Sequence, residues 1–193
     1  MKLVIATKNA HKLIEMKRIL EPLGYEVLSQ ADVNVDVDVE ETGTTFEENA
    51  ALKAQAIYKA TGMVTLADDS GLEVDYLNGE PGIYSARYGG EGKNDKDRCD
   101  LVLEKLKGVP KKDRTARFVC VIHLIFNEGD QRTYRGECEG FIGEGFVGDN
   151  GFGYDPIFMV NDHDSFATLD GVKKDALSHR GRALEKLRQD LSK

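Results

Sequence analysis

The spacing of apolar residues changes along the chain, and each change marks an element. Lys2 to Thr7 is nearly continuous in apolar character and predicts a buried strand. A polar turn from Thr7 to Lys12 leads into a helix whose Leu13, Met16, Ile19 and Leu20 keep helical spacing. From Val33 the period falls to two: Val33, Val35, Val37 and Val39 alternate with Asn34, Asp36, Asp38 and Glu40, which predicts a half-buried strand with an acidic, solvated outer face. If the alternation runs one step further, Glu41 points inward and Glu40 to water. Thr42-Gly43-Thr44 turns the chain, and Thr45 to Glu48 reads as a capping box opening a helix to about Thr61. Phe46, Ala50, Ala54 and Ile57 share one face of that helix, with Asn49 and Lys53 together at its side. The apolar run Met63 to Ala67 then delivers Asp68 and Asp69 into a predicted Ser70-Gly71 turn, after which alternation resumes through Leu72, Val74 and Leu77.

The second half predicts a loop at Asn78 to Gly82 and an irregular aromatic stretch from Ile83 to Gly90 that lines a cleft or an interface. A helix from about Asn94 to Lys107 carries Leu101, Leu103 and Leu106 and ends at Gly108 and Pro110. Ala116 to Phe126 is the strongest strand pattern, turned at Asn127 to Asp130 into a second strand, Gln131 to Ile142. His123 within it reads as a satisfied histidine of the core or sheet edge. Glycine is dense between Gly140 and Gly153. The last helix opens at Ser178, taken as its N-cap, with Leu184, Leu187 and Leu191 as its buried stripe.

Composition narrows the field. At 193 residues the chain fits one domain with a sizeable core, and 40% apolar with 31% charged residues is ordinary for a globular protein. A net charge of -8 argues against broad binding to nucleic acid or anionic membrane, while leaving room for a local basic pocket. Cys99, Cys120 and Cys138 cannot all pair and have no metal-ligand spacing, so a reducing, cytoplasmic setting is expected, with activity indifferent to reductant and to zinc chelators. No segment has the pattern of a signal peptide or a membrane span.

Four stretches carry candidate chemistry. Two adjacent acids at the end of a buried strand raise each other's pKa, so either a divalent cation compensates them or Asp-Ser-Gly is turn chemistry alone. The strand-turn-helix at Thr7 to Lys12 offers backbone N–H groups to a phosphate with Thr7, Asn9 and Lys12 as ligands, or else Asn9 is a plain helix cap. Gly151-Phe152-Gly153-Tyr154-Asp155-Pro156 presents aromatic rings and a carboxylate on a permissive backbone, suited to stacking on a nucleobase or to a tight core turn. His179 and Arg180 in a first helical turn oppose the helix dipole, which points to a ligand.

These residues together resemble the inosine triphosphate pyrophosphatase, or Ham1-like, family. The matching segments are Thr7 to Lys12, Glu41-Thr42-Gly43, Thr45 to Ala50, Ala67 to Leu72, Pro81 to Arg87, Gly151 to Pro156 and Ser178 to Arg180, in family order across nearly the whole chain. The resemblance implies a single 1–193 domain of α/β class, an elongated mixed sheet flanked by helices in two lobes with a central cleft, and a homodimer. It implies Mg²⁺-dependent hydrolysis of ITP, dITP and XTP to the monophosphate and pyrophosphate. It puts Glu41 and Asp69 at the metal and Asp69 at the proton acceptor. Thr7, Asn9, Lys12, Lys53 and Ser70 fall on the phosphate side, with Lys8, Ala10 and His11 of the same turn among the substrate contacts. Phe152, Gly153, Tyr154, Asp155, Lys174, His179 and Arg180 fall on the nucleotide side. Departures at Thr168 and Lys173-Lys174 leave Lys174 a looser match than His179 or Arg180. Two alternatives are a nucleotide sensor without turnover, for which the Asp68-Asp69 pair has no use, and a Maf-like pyrophosphatase of other nucleotides.

Overall fold

The computed structural model describes residues 1–192. Six strands form one mixed sheet in the order β2-β1-β3-β4-β5-β6, made of β1 (Lys2–Ile5), β2 (Glu26–Leu28), β3 (Thr65–Val74), β4 (Thr115–Asn127), β5 (Asp130–Ile142) and β6 (Phe158–Met159). β1 pairs in parallel with β2 at Leu3 and Val27 and with β3 at Val4 and Thr65, whereas β5 and β6 are antiparallel. Five helices accompany the sheet: α1 (Ala10–Leu20), α2 (Phe46–Thr61), α3 (Asp95–Lys105), α4 (Gly171–Leu177) and α5 (His179–Leu191). The expected mixed sheet flanked by helices is what the chain forms. Among the described residues no helix is long and apolar enough to cross a membrane.

The chain divides into two compact units. The first contains residues 1–69, 120–136 and 180 onward. Strand alternation sorts its core into two layers. Leu3, Ile5 and Leu66 face Met16 and Leu20 of α1 and Ala183, Leu184 and Leu187 of α5. Val4, Ala6 and Ala67 face Ala54 and Ile57 of α2. The second unit, residues 70–119 and 137–179, packs Cys99, Val102 and Leu106 at α3 against Leu72, Val74, Ala116, Phe118, Phe158 and Phe166.

Two expectations from the pattern are corrected. Asp68 and Asp69 do not enter a turn: β3 runs unbroken through Asp68-Asp69-Ser70-Gly71, and Gly71 has no left-handed backbone. The valine alternation is not a strand either, since residues 34–43 join no sheet. Val33, Val35 and Val37 lean on the α2-side core, while Asp36 and Asp38 are exposed, so periodicity of two records an extended chain lying on a core rather than a ladder. The parity survives the loss of the strand: Glu41 is half-buried and Glu40 exposed. β2 and α4 had no expectation, and at three and seven residues neither is long enough to show a period.

Candidate active site

Strand alternation decides what the two adjacent acids do. Asp68 has the parity of Leu66 and enters the α1/α5 layer; Asp69 has the parity of Ala67 and enters the α2 layer. The like charges therefore leave the backbone on opposite faces, and each meets its own cations.

On the Asp69 face, α2 opens with Thr45 as N-cap, its side chain accepting from the Glu48 N–H at 3.1 Å. The Glu48 carboxylate takes the N–H of Thr44 at 2.6 Å, and fully buried Asn49 accepts the Gly43 N–H at 2.8 Å. The loop after Glu41 is thereby stapled to the first turn of α2. Gly43 permits this approach, because a Cβ there would stand 2.6 Å from the Asn49 Oδ1. One turn on, Lys53 Nζ lies 2.6 Å from Glu41 Oε1 and 3.2 Å from Asp69 Oδ1. Burial would lower the Lys53 pKa, but Asp69, Asp68 and Glu41 outweigh it and keep the ammonium charged. Asp69 moves the other way: burial above all, with Glu41 and Asp68 adding, raises its pKa despite Lys53 and Lys12. Its Oδ2 is buried and has no hydrogen-bond partner among the described residues.

That orphaned oxygen is where a cation can be tested for fit. Among the described residues no three Asp, Glu, His or Cys side chains gather closely enough to hold a metal by themselves. Mg²⁺ does not require such a cage, since it commonly keeps several waters and takes one or two carboxylates beside substrate phosphates. Asp69, with Glu41 across Lys53, is an oxygen donor set of that kind and fits the ion.

On the opposite face, Asp68 Oδ2 lies 3.0 Å from Lys12 Nζ and 3.1 Å from Arg180 Nη2. Arg180 is fully buried, and its Nη1 donates to Glu15 on α1. Burial alone would raise the Asp68 pKa; Lys12, then Arg180 and Lys53, reverse this and hold the carboxyl well below the usual carboxylate range. Each terminal nitrogen of Arg180 donates to a carboxylate of the first unit, so this side chain braces Asp68. Glu15 was missed because a lone acid three residues after Lys12 looks like an ordinary solvated helix position.

The turn before α1 is likewise simpler than expected. Asn9 Oδ1 accepts the N–H groups of His11 at 3.0 Å and Lys12 at 3.2 Å, so two amides offered to an anion are already capped. Thr7 Oγ1 accepts the Asn9 N–H at 3.2 Å. Lys8 Nζ reaches out to Asp36 at 2.9 Å and Asp38 at 3.6 Å, which gives the exposed acids of the valine segment a partner. Ala10 and His11 begin α1 and are exposed. Of this turn, Lys12 is the side chain that reaches the acids.

The nucleotide-side residues other than Arg180 lie in the second unit, as does Ser70, which continues β3 with the parity of Asp68. Asp155 Oδ2 accepts the Phe152 N–H at 3.0 Å and lies 2.7 Å from Lys174 Nζ. The Lys174 ammonium stands 4.8 Å from the centre of the half-buried Phe152 ring and 5.7 Å from that of Phe166. The His179 ring stacks on Phe118 at 4.7 Å and an 11° tilt. Tyr154 lies in the core: its ring is buried and its hydroxyl donates to the Ser85 carbonyl at 2.7 Å. Phe118 and Phe166 were missed, since aromatic residues in apolar runs carry no signal beyond core.

The three cysteines are buried and unpaired with one another. Burial, aided by nearby acids, pushes the Cys99 and Cys120 thiols up to about 12. Both should therefore resist a thiol-specific disulfide reagent at pH 8 in the folded protein and react at once in denaturant, and rapid native labelling at either position would contradict their burial.

His123 is satisfied on both ring nitrogens, by Thr133 at 2.8 Å and Gln131 at 3.1 Å. It has no part in the site.

The model of the Ham1 family matches residues 3–190. A dITP/XTP pyrophosphatase of Bacillus licheniformis is 51% identical over 185 residues, covering 95% of this chain and 94% of that protein. One of Clostridium perfringens is 47% identical over 197 residues, covering 98% and 97%. Among solved structures, the Ham1 protein of Staphylococcus aureus superposes with a TM-score of 0.88 at 44% identity, covering 100% of this chain and 98% of that one. The Ham1 protein of Coxiella burnetii gives 0.89 at 44% identity with the same coverage. Similarity of this depth from one end of the chain to the other, in sequence and in fold alike, means that the protein belongs to the Ham1 family.

Proposed function

We propose that this protein is a nucleoside triphosphate pyrophosphatase that hydrolyses dITP, ITP and XTP to the monophosphate and pyrophosphate, as a Mg²⁺-dependent cytoplasmic homodimer. The observation that carries this is the pairing of Asp69 with Lys53: a buried carboxylate with a raised pKa and one oxygen without a hydrogen-bond partner among the described residues, beside a lysine held charged. The names borne by its relatives point to dITP and XTP among these.

The chemistry follows from those groups. A water oxygen attacks the α-phosphorus, its proton passes to Asp69 Oδ2, and the bond from the α-phosphorus to the bridging oxygen breaks so that pyrophosphate leaves with the electron pair. A carboxyl with a raised pKa is the better proton acceptor near neutrality. Lys53 and Lys12 are the fixed cations that balance phosphate charge, and each is now paired with an acid it can share with the substrate. Mg²⁺, held by Glu41 and Asp69, would supply further positive charge to the phosphates and acidify a bound water.

For the base, Phe152 offers a ring face and Lys174 and His179 offer donors, Lys174 having no acceptor at all. Hypoxanthine and xanthine present the O6 acceptor to such groups, whereas adenine presents an amino donor. One buried donor left facing another costs about 1 to 3 kcal/mol, roughly 5- to 150-fold in kcat/KM.

A panel of ITP, dITP, XTP, ATP, GTP and dUTP with pyrophosphate detection tests the reading. Pyrophosphate should appear from the first three at least about tenfold faster than from ATP. Release of orthophosphate instead, equal turnover of ATP, or binding of ITP with no turnover would each overturn it.

A further inference from the structure

Phe152 is carried between two glycines with left-handed backbones, Gly151 at φ 77° and Gly153 at φ 60°. Glycines in such a pair leave a chain with many conformations, so the ring between them holds one place only if the neighbouring peptide groups are tied. The first tie is the Phe152 N–H to Asp155 Oδ2 already described, and Gly151 makes room for it: a Cβ there would stand 2.0 Å from that oxygen.

The second tie comes from a helix with no other part in the site. The Gly153 N–H donates to Asp95 Oδ2 at 2.8 Å, and Cys99 Sγ donates to the Gly153 carbonyl at 3.4 Å. Asp95 and Cys99 are four residues apart on α3 and so share one side of it. A single helix thus grips both the N–H and the C=O of one glycine. The helix does not need Asp95 for its own start, because Asn94 and Asp97 already form a complete capping box. The high pKa of the Cys99 thiol keeps it a donor throughout the working range.

We infer that Asp95 is a positioning residue for substrate: by fixing the Gly153 peptide, with Cys99 beneath it, it sets where the Phe152 ring meets the purine. This rests on the reading of Phe152 as the base platform.

The test compares Asp95→Ala, Asp95→Asn and Phe152→Ala by ITP kinetics and by amide exchange at Gly153 followed by NMR. Asp95→Ala should raise KM for ITP about three- to tenfold, the worth of one net hydrogen bond, with kcat within about twofold and with faster exchange at Gly153. Asp95→Asn keeps an oxygen able to accept the same N–H, so it should return both KM and exchange close to wild type. If Asp95→Ala moves neither, or Asp95→Asn is as impaired as Asp95→Ala, the inference is overturned. Phe152→Ala separates the two levels. A raised KM there with a silent Asp95→Ala sinks the positioning role alone, whereas an unchanged KM in Phe152→Ala sinks the platform reading itself.

Discussion

Asp69→Asn should lower kcat for ITP by at least about a hundredfold while leaving nucleotide binding measurable by calorimetry. The amide keeps the shape of the side chain and its contact with Lys53, but it cannot take a proton from water. Glu41→Gln is expected to act differently, raising the Mg²⁺ concentration needed for half-maximal rate, and Glu40→Gln to do little, because Glu40 faces solvent. The pH profile carries a second check. Asp69 is raised from its ordinary value by burial, so the rate should fall on acidification with a midpoint above that of a free Asp. Mg²⁺ and a proton compete for that carboxylate, so added Mg²⁺ should move the midpoint to lower pH. Near-wild-type turnover in Asp69→Asn would remove Asp69 from the proton's path.

Arg180→Met should cost stability on a scale that few single changes reach. It removes one cation from a fully buried carboxylate and leaves Glu15 facing an apolar side chain, and breaking a buried ion pair from one side costs about 3 to 5 kcal/mol. For a chain of this length that is on the order of 10 °C in Tm. The sign with pH follows from Asp68. Its folded pKa is depressed, so its contribution is present above the unfolded value of about 4 and is lost as pH falls toward the lower folded value. The deficit of the variant should therefore be largest at pH 7 and shrink in urea melts below about pH 4. Unchanged stability in Arg180→Met at pH 7 would contradict the bracing of the buried acids by Arg180.

The sequence was most legible where one periodicity met one kind of core. α2 ends at Thr61 as its apolar stripe implies, although Glu48 reaches back to the Thr44 N–H rather than closing the expected capping box on Thr45, and β4 and β5 lie within a residue of their expected ends. The pattern misled where a period of two had another cause: the valines of residues 33–39 alternate because an extended chain rests on a core, with no partner strand. Ser-Gly after the acids looked like a turn, yet strand pairing overrode the local preference and carried β3 straight through. At the site, Lys12, Lys53, Glu41, Asp68 and Asp69 gather as their motifs imply, because each is fixed by parity or helical spacing from an element that was itself legible. Glu15, Phe118 and Phe166 were not, because their partners lie far away along the chain. No spacing rule reaches that distance.

Because one stretch of β3 aims Asp68 and Asp69 into different layers, the chain is intolerant of length changes in a way that composition does not reveal. Removing one residue between β3's pairing with β1 and the acids would rotate both through half a turn, handing the oxygen meant for water to Lys12 and Arg180 and the braced one to Lys53. Removing two would restore the facing and merely shift both along the strand. Natural variants of this segment should therefore conserve its number of residues, and where a length difference is tolerated it should come in pairs.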